Sequence, residues 1–382
     1  MKTSNRIILF VLFFMPIQVY GTPLKVFGPL VLGQSCALSG PAQNLGLEMR
    51  SGLLAAFADA NESGGVHGRE IILLTRDDGY EPDKAVRNTK AFIYDDQVFA
   101  LIGAVGTPTS KAVAPIITDA GIPFFGPFTG AEFLRKPFNK YVINVRASYF
   151  QEMEKLASYL VEEKKLSRIA CFYQNDSYGF AGLKGIEIAL ARRSMALVSK
   201  GSYERNTVAV MGAMRDIYKG SPEAVVLVGA YSACAEFIKL SKNKYTGDVT
   251  FCNISFVGTD SLREALGRYG ENVIVSQVVP SPQDTGVGLT REFKRAMAKY
   301  QHDAPISFTS YEGFIVGKLF CEIARSVKNG LTRERFIAAM EQGGRFNLNG
   351  LVLEYGVDDH QGLDAVYLTQ IYPEVEEIKA GN

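Results

Sequence analysis

The chain has 382 residues, with 41 Lys and Arg against 40 Asp and Glu, a net charge of +1 and 47% hydrophobic residues. That balance excludes a mainly disordered chain and argues against an electrostatic footprint for nucleic acid or an anionic membrane surface. Three His and five Cys are too few for a His/Cys-rich metal protein, and the length suits two or three domains or one large bilobed body handling a small ligand.

Lys2 and Arg6 precede the apolar run Ile7 to Met15, then Pro16 and Val19-Tyr20-Gly21. A basic start, a short apolar stretch and small residues predict a cleaved secretory signal peptide over 1–21. The run is too short for roughly 30 Å of hydrocarbon. No Cys lies near Thr22, so no lipid anchor is expected, and no later segment reads as a membrane helix. Export permits disulfides, yet Cys36, Cys171, Cys234, Cys252 and Cys321 are odd in number and lack framework spacing. Cys171 and Cys321 read as buried core thiols, while a Cys234–Cys252 bridge stays open.

From Val26 onward short apolar runs alternate with helical patterns, the rhythm of parallel βαβ units. Val26 to Leu32 reads as the first strand. Leu45, Met49, Leu53 and Phe57 recur every four residues and predict one face of a helix, which stops at Asn61 to Gly65. Strands follow at Ile71 to Thr75, Phe99 to Gly103 and Pro123 to Gly126, with a helix over Thr109 to Ala120. After Asn144-Val145-Arg146 the rhythm restarts, with strands at Arg168 to Tyr173, Ala196 to Lys200, Ala224 to Gly229, Thr250 to Gly258 and Asn272 to Val278. Helices begin near Gly179, Thr207, Ser232 and Ser261, and late helices cover Leu289 to Tyr300, Ser310 to Ser326 and Arg333 to Glu341. Two βα series predict two similar lobes, each a parallel sheet covered by helices.

Catalytic signatures are missing from the sequence. It contains no phosphate loop, no G-x-G-x-x-G after a strand, no nucleophile elbow and no H-E-x-x-H. His67, His302 and His360 read as surface residues, and Asp77-Asp78 and Asp358-Asp359 as solvated turn residues. What remains is a set of hydroxyl, aromatic and acidic residues at strand C-terminal ends, where open α/β sheets bind ligands.

Several stretches together carry a family likeness: Leu38-Ser39-Gly40-Pro41, Asn61-Glu62-Ser63-Gly64-Gly65-Val66-His67-Gly68-Arg69, Asp77-Asp78, Gly103 to Ser110 and Gly121-Ile122-Pro123. Asp176-Ser177-Tyr178-Gly179 and Val257-Gly258-Thr259-Asp260 complete the set. With these the chain resembles the periplasmic binding proteins for leucine, isoleucine and valine, the substrate-binding components of ABC transporters. The resemblance implies the type I periplasmic binding fold, an α/β architecture of two similar lobes joined by three crossover segments. It places lobe 1 at 24–146 and 279–350, and lobe 2 at 147–278 and 351–382. It further implies a monomeric, periplasmic protein without catalysis, cofactor or metal, which captures a small carboxylate-bearing ligand by lobe closure for a membrane permease. The alternative is the ligand-binding component of a periplasmic sensory system.

Carried over residue by residue, the resemblance gives a ligand-binding set. Thr107, at a helix start, is the carboxylate-binding hydroxyl, in a setting where the helix dipole and unpaired N–H groups also favour an anion; the alternative is that Thr109 or Ser110 simply caps the helix. Phe128 and Thr129 form the second ligand loop, although Thr129 with Glu132 also fits a capping box. Tyr178 reaches across the cleft, or packs in its strand-to-helix turn. Asp260 receives the ligand's ammonium, or caps its helix. Tyr231 lines the pocket or the core. Two positions depart from the amino-acid binders: Gly130 stands where a threonine is usual, and Leu45 replaces a bulkier aromatic wall.

Overall fold

The structure, a computed structural model, describes residues 28–245, 247–328 and 330–372; the expected signal peptide at 1–21 lies outside the described residues. The first half of the chain runs β1 (Leu30–Cys36), α1 (Gln43–Glu62), β2 (Ile71–Asp77), α2 (Pro82–Tyr94), β3 (Ala100–Ile102), α3 (Thr107–Asp119), β4 (Phe124–Phe125) and β5 (Val142–Ile143). The second series is α4 (Tyr149–Ala157), β6 (Ile169–Gln174), α5 (Ser177–Ala191), β7 (Ser199–Tyr203), α6 (Met211–Tyr218), β8 (Ala224–Val228), α7 (Tyr231–Lys244), β9 (Thr250–Asn253), α8 (Thr259–Leu266) and β10 (Val273–Gln277). The chain then adds α9 (Gly288–Tyr300), α10 (Phe308–Ser326), α11 (Arg333–Gly343), β11 (Arg345–Leu348), β12 (Leu351–Glu354) and β13 (Tyr367–Ile371).

Apart from the β11–β12 hairpin, the described strands form two sheets of the same design. The first has the order β2-β1-β3-β4-β5, all parallel. The second has the order β13-β10-β9-β8-β6-β7, parallel except for β13, which pairs antiparallel with β10. Renumbered from its own start, β7-β6-β8-β9-β10 repeats the strand order of the first sheet. Both sheets therefore reverse direction between their first and third strands, the point where open α/β sheets leave a crevice for a ligand.

The periodic face of α1 is buried as its spacing requires, with Leu45, Met49 and Leu53 at 0% exposure. It packs on α10 so closely that backbones touch. A Cβ added at Gly52 would fall 1.9 Å from the carbonyl oxygen of Ser310, and one at Gly313 would fall 2.3 Å from that of Met49. These glycines are small because the crossing leaves no room for a methyl group.

Several expectations shift. β1 covers Leu30–Cys36 and so runs past the expected end at Leu32, while the expected start at Val26 lies outside the described residues, and β7 lies at Ser199–Tyr203 rather than Ala196 to Lys200. The run Thr250 to Gly258 is a strand only to Asn253, because Ser255–Val257 curls into a 3₁₀ turn that Gly258 closes at φ 78°. Helices α2 and α4 and the β11–β12 hairpin were not expected. The boundary expected at residue 350 falls inside that hairpin, where Leu351–Glu354 pairs with Arg345–Leu348. The chain crosses to the second sheet only after β12, and there Asn144 N–H donates to His360 O (2.7 Å) while Gly362 N–H donates to Asn144 O (3.0 Å), tying two crossings together.

Two side-chain expectations are also corrected, and the open question of a disulfide is settled. His360 is buried rather than on the surface, bonded to Val142 O (3.2 Å) and Glu341 (3.1 Å). Asp78 is fully buried rather than solvated, accepting from Ser35 Oγ (2.7 Å) and Tyr80 N–H (2.8 Å). All five cysteines are buried and unpaired, so no Cys234–Cys252 bridge forms.

The α1–α10 crossing yields a first prediction. Gly52→Ala forces the two backbones apart and lowers unfolding stability by about 1–3 kcal/mol, read as a lower urea midpoint without ligand. An unchanged midpoint would show that the crossing can yield at no cost.

Candidate functional site

The candidate site lies at the boundary between the lobes, on loops at the C-terminal ends of β3 and β4. Gly106, at φ 115°, takes the N-cap position of α3. A side chain there would meet Tyr80 Cε2 at 2.3 Å, so glycine serves both the turn and the seat of the Tyr80 ring. Thr109 turns its hydroxyl back to the carbonyls of Val105 (2.9 Å) and Gly106 (3.0 Å), and α3 has no side-chain cap. The N–H groups of its first turn are thus not spent on a capping side chain.

Thr107 instead faces its neighbours across the boundary. Its Oγ1 lies 2.7 Å from Thr129 Oγ1 and 3.2 Å from the Tyr149 hydroxyl, and Thr129 Oγ1 lies 3.2 Å from the same hydroxyl. All three residues are 0% exposed. Three hydroxyls in a triangle can satisfy one another in a ring, and the same three O–H groups can turn onto an arriving anion. Burial pushes the Tyr149 phenol up to about 12, with Arg146 pulling the other way, so it remains a donor at neutral pH. Thr129 also accepts from Ala131 N–H (3.3 Å) and makes no capping box with Glu132.

Tyr149 explains why Gly130 is glycine. A Cβ at Gly130 would fall 2.7 Å from Tyr149 N and 2.6 Å from its ring. The position that loses a threonine hydroxyl gains a phenol from the opposite lobe.

Around the hydroxyls stand five buried aromatic rings. Phe256 is the hub, with centroid distances of 4.5 Å to Tyr178, 5.5 Å to Phe128 and 5.9 Å to Tyr80. Tyr149 lies 5.6 Å from Tyr178. Tyr80 and Phe128 come from the first lobe, and Tyr149, Tyr178 and Phe256 from the second. The Tyr178 hydroxyl reaches Gly229 O at 3.4 Å. Leu45 is buried beneath Gly258, where an added Cβ would come within 2.6 Å of it. Tyr231 is half-buried at the start of α7, hydrogen-bonded to the backbone of Asn44.

Polar clasps hold the lobes together on both flanks. On one, Arg205 bridges Glu81 (2.8 Å) and Asp176 (3.0 Å), and Asn206 donates to Glu81 (2.7 Å) and Gly79 O (3.1 Å). On the other, Ser261 donates to Glu48 (3.0 Å) and accepts from Asn44 (3.1 Å), while Glu48 also accepts from Ser307 (2.5 Å). Asp260 sits on this second flank, accepting from Phe308 N–H (3.3 Å) and Arg263 (3.2 Å).

Behind the hydroxyls, Arg146 leaves β5 on the first crossing and forms a two-pronged ion pair with Glu312 of α10, at 2.8 and 2.7 Å. Its guanidinium carbon lies 4.0 Å from the centre of the Phe128 ring. The structure thus brings Thr107, Phe128, Thr129 and Tyr178 to one place, and Leu45, Tyr231 and Asp260 to the second flank. Tyr80, Tyr149, Phe256 and Arg146 were not expected there. Tyr80 ends the Asp77-Asp78-Gly79 turn at a strand C-terminus, a position that could have marked it. A hollow of about 450 Å³ lined by residues including Arg135, Asn144 and His360 lies behind the hinge rather than at the strand ends, so it is not taken as the ligand site. Among the described residues no His, Cys, Asp and Glu cluster is suited to a metal, and no helix is long and apolar enough to cross a membrane.

The profile of the periplasmic binding protein family matches residues 29–375. The chain belongs to the periplasmic binding protein family. Family members bind solutes and are not enzymes, and they are periplasmic. A Leu/Ile/Val-binding protein homolog of Brucella abortus is 25% identical over 310 residues, 78% of this chain and 77% of that protein. The crystal structure of a possible leucine/isoleucine/valine-binding protein from Rhodopirellula baltica is 37% identical, with a TM-score of 0.86, covering 92% of this chain and 95% of that one. A substrate-binding periplasmic protein from Ralstonia solanacearum is 27% identical, with a TM-score of 0.83 over 89% and 96% of the two chains. These likenesses carry the two-lobed α/β fold and a solute-binding role for this periplasmic binding protein.

Glu48 makes the second flank sensitive to pH. Burial pushes its carboxyl up to about 7, Asp260 and Glu264 add to the rise, and the Ser307 and Ser261 hydroxyls oppose it. A raised carboxyl contributes stability that is complete below its ordinary value and is lost as pH rises through about 7. Opening the lobes separates Glu48 from Ser261 and returns its carboxyl toward the ordinary range, so ligand affinity should fall as pH rises from about 4.5 to about 7 and level off above that. Glu48→Gln should flatten that fall in calorimetry. Asp78, pushed up to about 6 mainly by burial, titrates in the same direction, but it lies inside the first lobe and leaves the variant's difference intact.

Proposed function

We propose that this periplasmic binding protein is the solute-receiving component of an ABC uptake system, and that it captures a small carboxylate between its lobes. The observation that carries the reading is the buried triangle of Thr107, Thr129 and Tyr149 hydroxyls at the start of α3. Two of its members come from one lobe and one from the other, so a ligand bridging them stabilises the closed form directly. Charge-assisted bonds from hydroxyls to a carboxylate are stronger than the neutral bonds they replace. The names of the Brucella and Rhodopirellula relatives, which refer to leucine, isoleucine and valine, agree with a carboxylate-bearing ligand. Phe128 and Tyr178 would flank its apolar body, while Leu45, Tyr231 and Asp260 shape the closing edge. Closure also presents a joined surface from both lobes, suited to a membrane permease, from a monomer.

The reading predicts that Tyr149→Phe, and separately Thr107→Ala, weaken carboxylate binding by about 1–3 kcal/mol. That is about a 5- to 150-fold rise in Kd, with little change in melting temperature without ligand. A thermal-shift screen of small carboxylates and their neutral amides identifies the probe, and calorimetry measures the variants. Variants that melt lower yet bind equally well would make the hydroxyls structural only.

A further inference from the structure

Arg146 is 1% exposed, and its Nη1 has no hydrogen-bond partner. Glu312 occupies the Nε and Nη2 edge of the guanidinium, which leaves the remaining edge unfilled. The group lies on the face of Phe128, which contacts Phe256 of the opposite lobe at 5.5 Å. Thr129 follows Phe128 in sequence, and Arg146 is close enough to act on the Tyr149 phenol. A buried charged donor left unpaired is costly, so an acceptor arriving beside Phe128 and the hydroxyl triangle would relieve it.

The carboxylates at the lobe boundary show the opposite condition. Asp176 accepts from Tyr178 N–H, Gln174 and Arg205. Glu81 accepts from Arg205 and Asn206. Glu48 and Asp260 are engaged on the second flank as described. Glu152 accepts from Ser255 N–H, Ser255 Oγ and Ser276 Oγ at 2.7, 2.9 and 2.5 Å. Each already has its donors, and the hub of the cleft is built from Phe256 and rings around it that carry no fixed charge. An ammonium brought into this place would lose water and find each of these carboxylates already hydrogen-bonded to donors of the protein.

We infer that the orphan edge of Arg146 is the charge partner of the bound carboxylate and that the ligand carries no amine: the cleft selects a carboxylic acid with an apolar or aromatic body. This rests on the carboxylate reading of the hydroxyl triangle and adds to it the charge partner and the ligand class. Arg146 lies on the crossing between lobes, so binding the anion there ties ligand recognition to the hinge itself.

The test uses the full mature protein and matched probes in calorimetry: 4-methylpentanoate against leucine, 3-phenylpropanoate against phenylalanine, the primary amide of each acid, and glycine betaine. The expected result is that at least one amine-free acid binds about tenfold or more tighter than its amino acid and its amide. Leucine, phenylalanine or glycine betaine binding as tightly as the amine-free acids overturns the ligand class and leaves the carboxylate reading standing. Amides binding as well as their acids, or no binding by any carboxylate, overturns both. The paired variant Arg146→Met with Glu312→Met removes both charges and avoids stranding either one. It should erase the preference for acid over amide. A folded double variant that keeps this preference overturns the role of Arg146, and if it fails to fold, the matched probes on the unaltered protein still decide the ligand class.

Discussion

The buried ion pair between Arg146 and Glu312 is the constraint on which the cleft depends. A guanidinium in a nearly dry site must be matched on its hydrogen-bonding edge, and Glu312 does this with two short bonds. Breaking such a pair strands a charge and costs far more than the pair itself contributes. The nearby Glu312 carboxylate also holds the guanidinium above its usual range against the opposing effect of burial. Because Arg146 sits where the chain first crosses between lobes and Glu312 sits on α10, the pair fixes the crossing to the first lobe. From that fixed point Tyr149, three residues further on, is aimed back at Thr107 and Thr129.

The exchange between Gly130 and Tyr149 shows how the site keeps its donors while changing their source. The glycine admits the tyrosine ring and accepts Tyr149 N–H at its own carbonyl (2.7 Å). One hydroxyl of the triangle therefore belongs to the second lobe, and the triangle joins the two lobes. The flanking clasps differ in character. The Arg205 flank is held by a fixed charge, whereas the Glu48 flank is held by hydroxyls and a carboxyl that burial makes reluctant to ionise. The lobe boundary thus has one flank held by a fixed charge and one held by a carboxyl that burial raises.

Much of the fold was legible in the sequence because the central strands and the buried helix faces obey simple periods. Leu45, Met49, Leu53 and Phe57 could only be one helix face, and Ala224 to Val228 is apolar throughout because both faces of its sheet are covered. The misplaced strand, β7, is at an edge, where exposed Lys200 and Ser202 alternate with buried Gly201 and Tyr203 and the apolar signal thins. The start of α4 carries a capping box, Ser148 with Gln151, that is readable in the sequence. Thr107, Thr129, Phe128 and Tyr178 lie together on loops that follow strands, a placement the strand pattern indicates, while their roles toward a ligand are what the family resemblance implies. Arg146 with Glu312, and Glu48 with Ser261, were not legible, because each pairing joins residues more than 150 positions apart, at 166 and 213, and no local pattern records it.

The five unpaired cysteines carry a consequence for the protein's chemistry. Cys171, Cys234 and Cys252 lie on the strands and helices of the second lobe's core, Cys36 ends β1, and Cys321 lies in α10; every one is sealed from solvent. Burial pushes each thiol up, away from the reactive thiolate. In an oxidising space the native state shields its sulfur chemistry by packing alone, and only the unfolded chain offers it to oxidants. A thiol shielded in this way is reached only when the lobe that holds it opens, so its modification rate counts those openings.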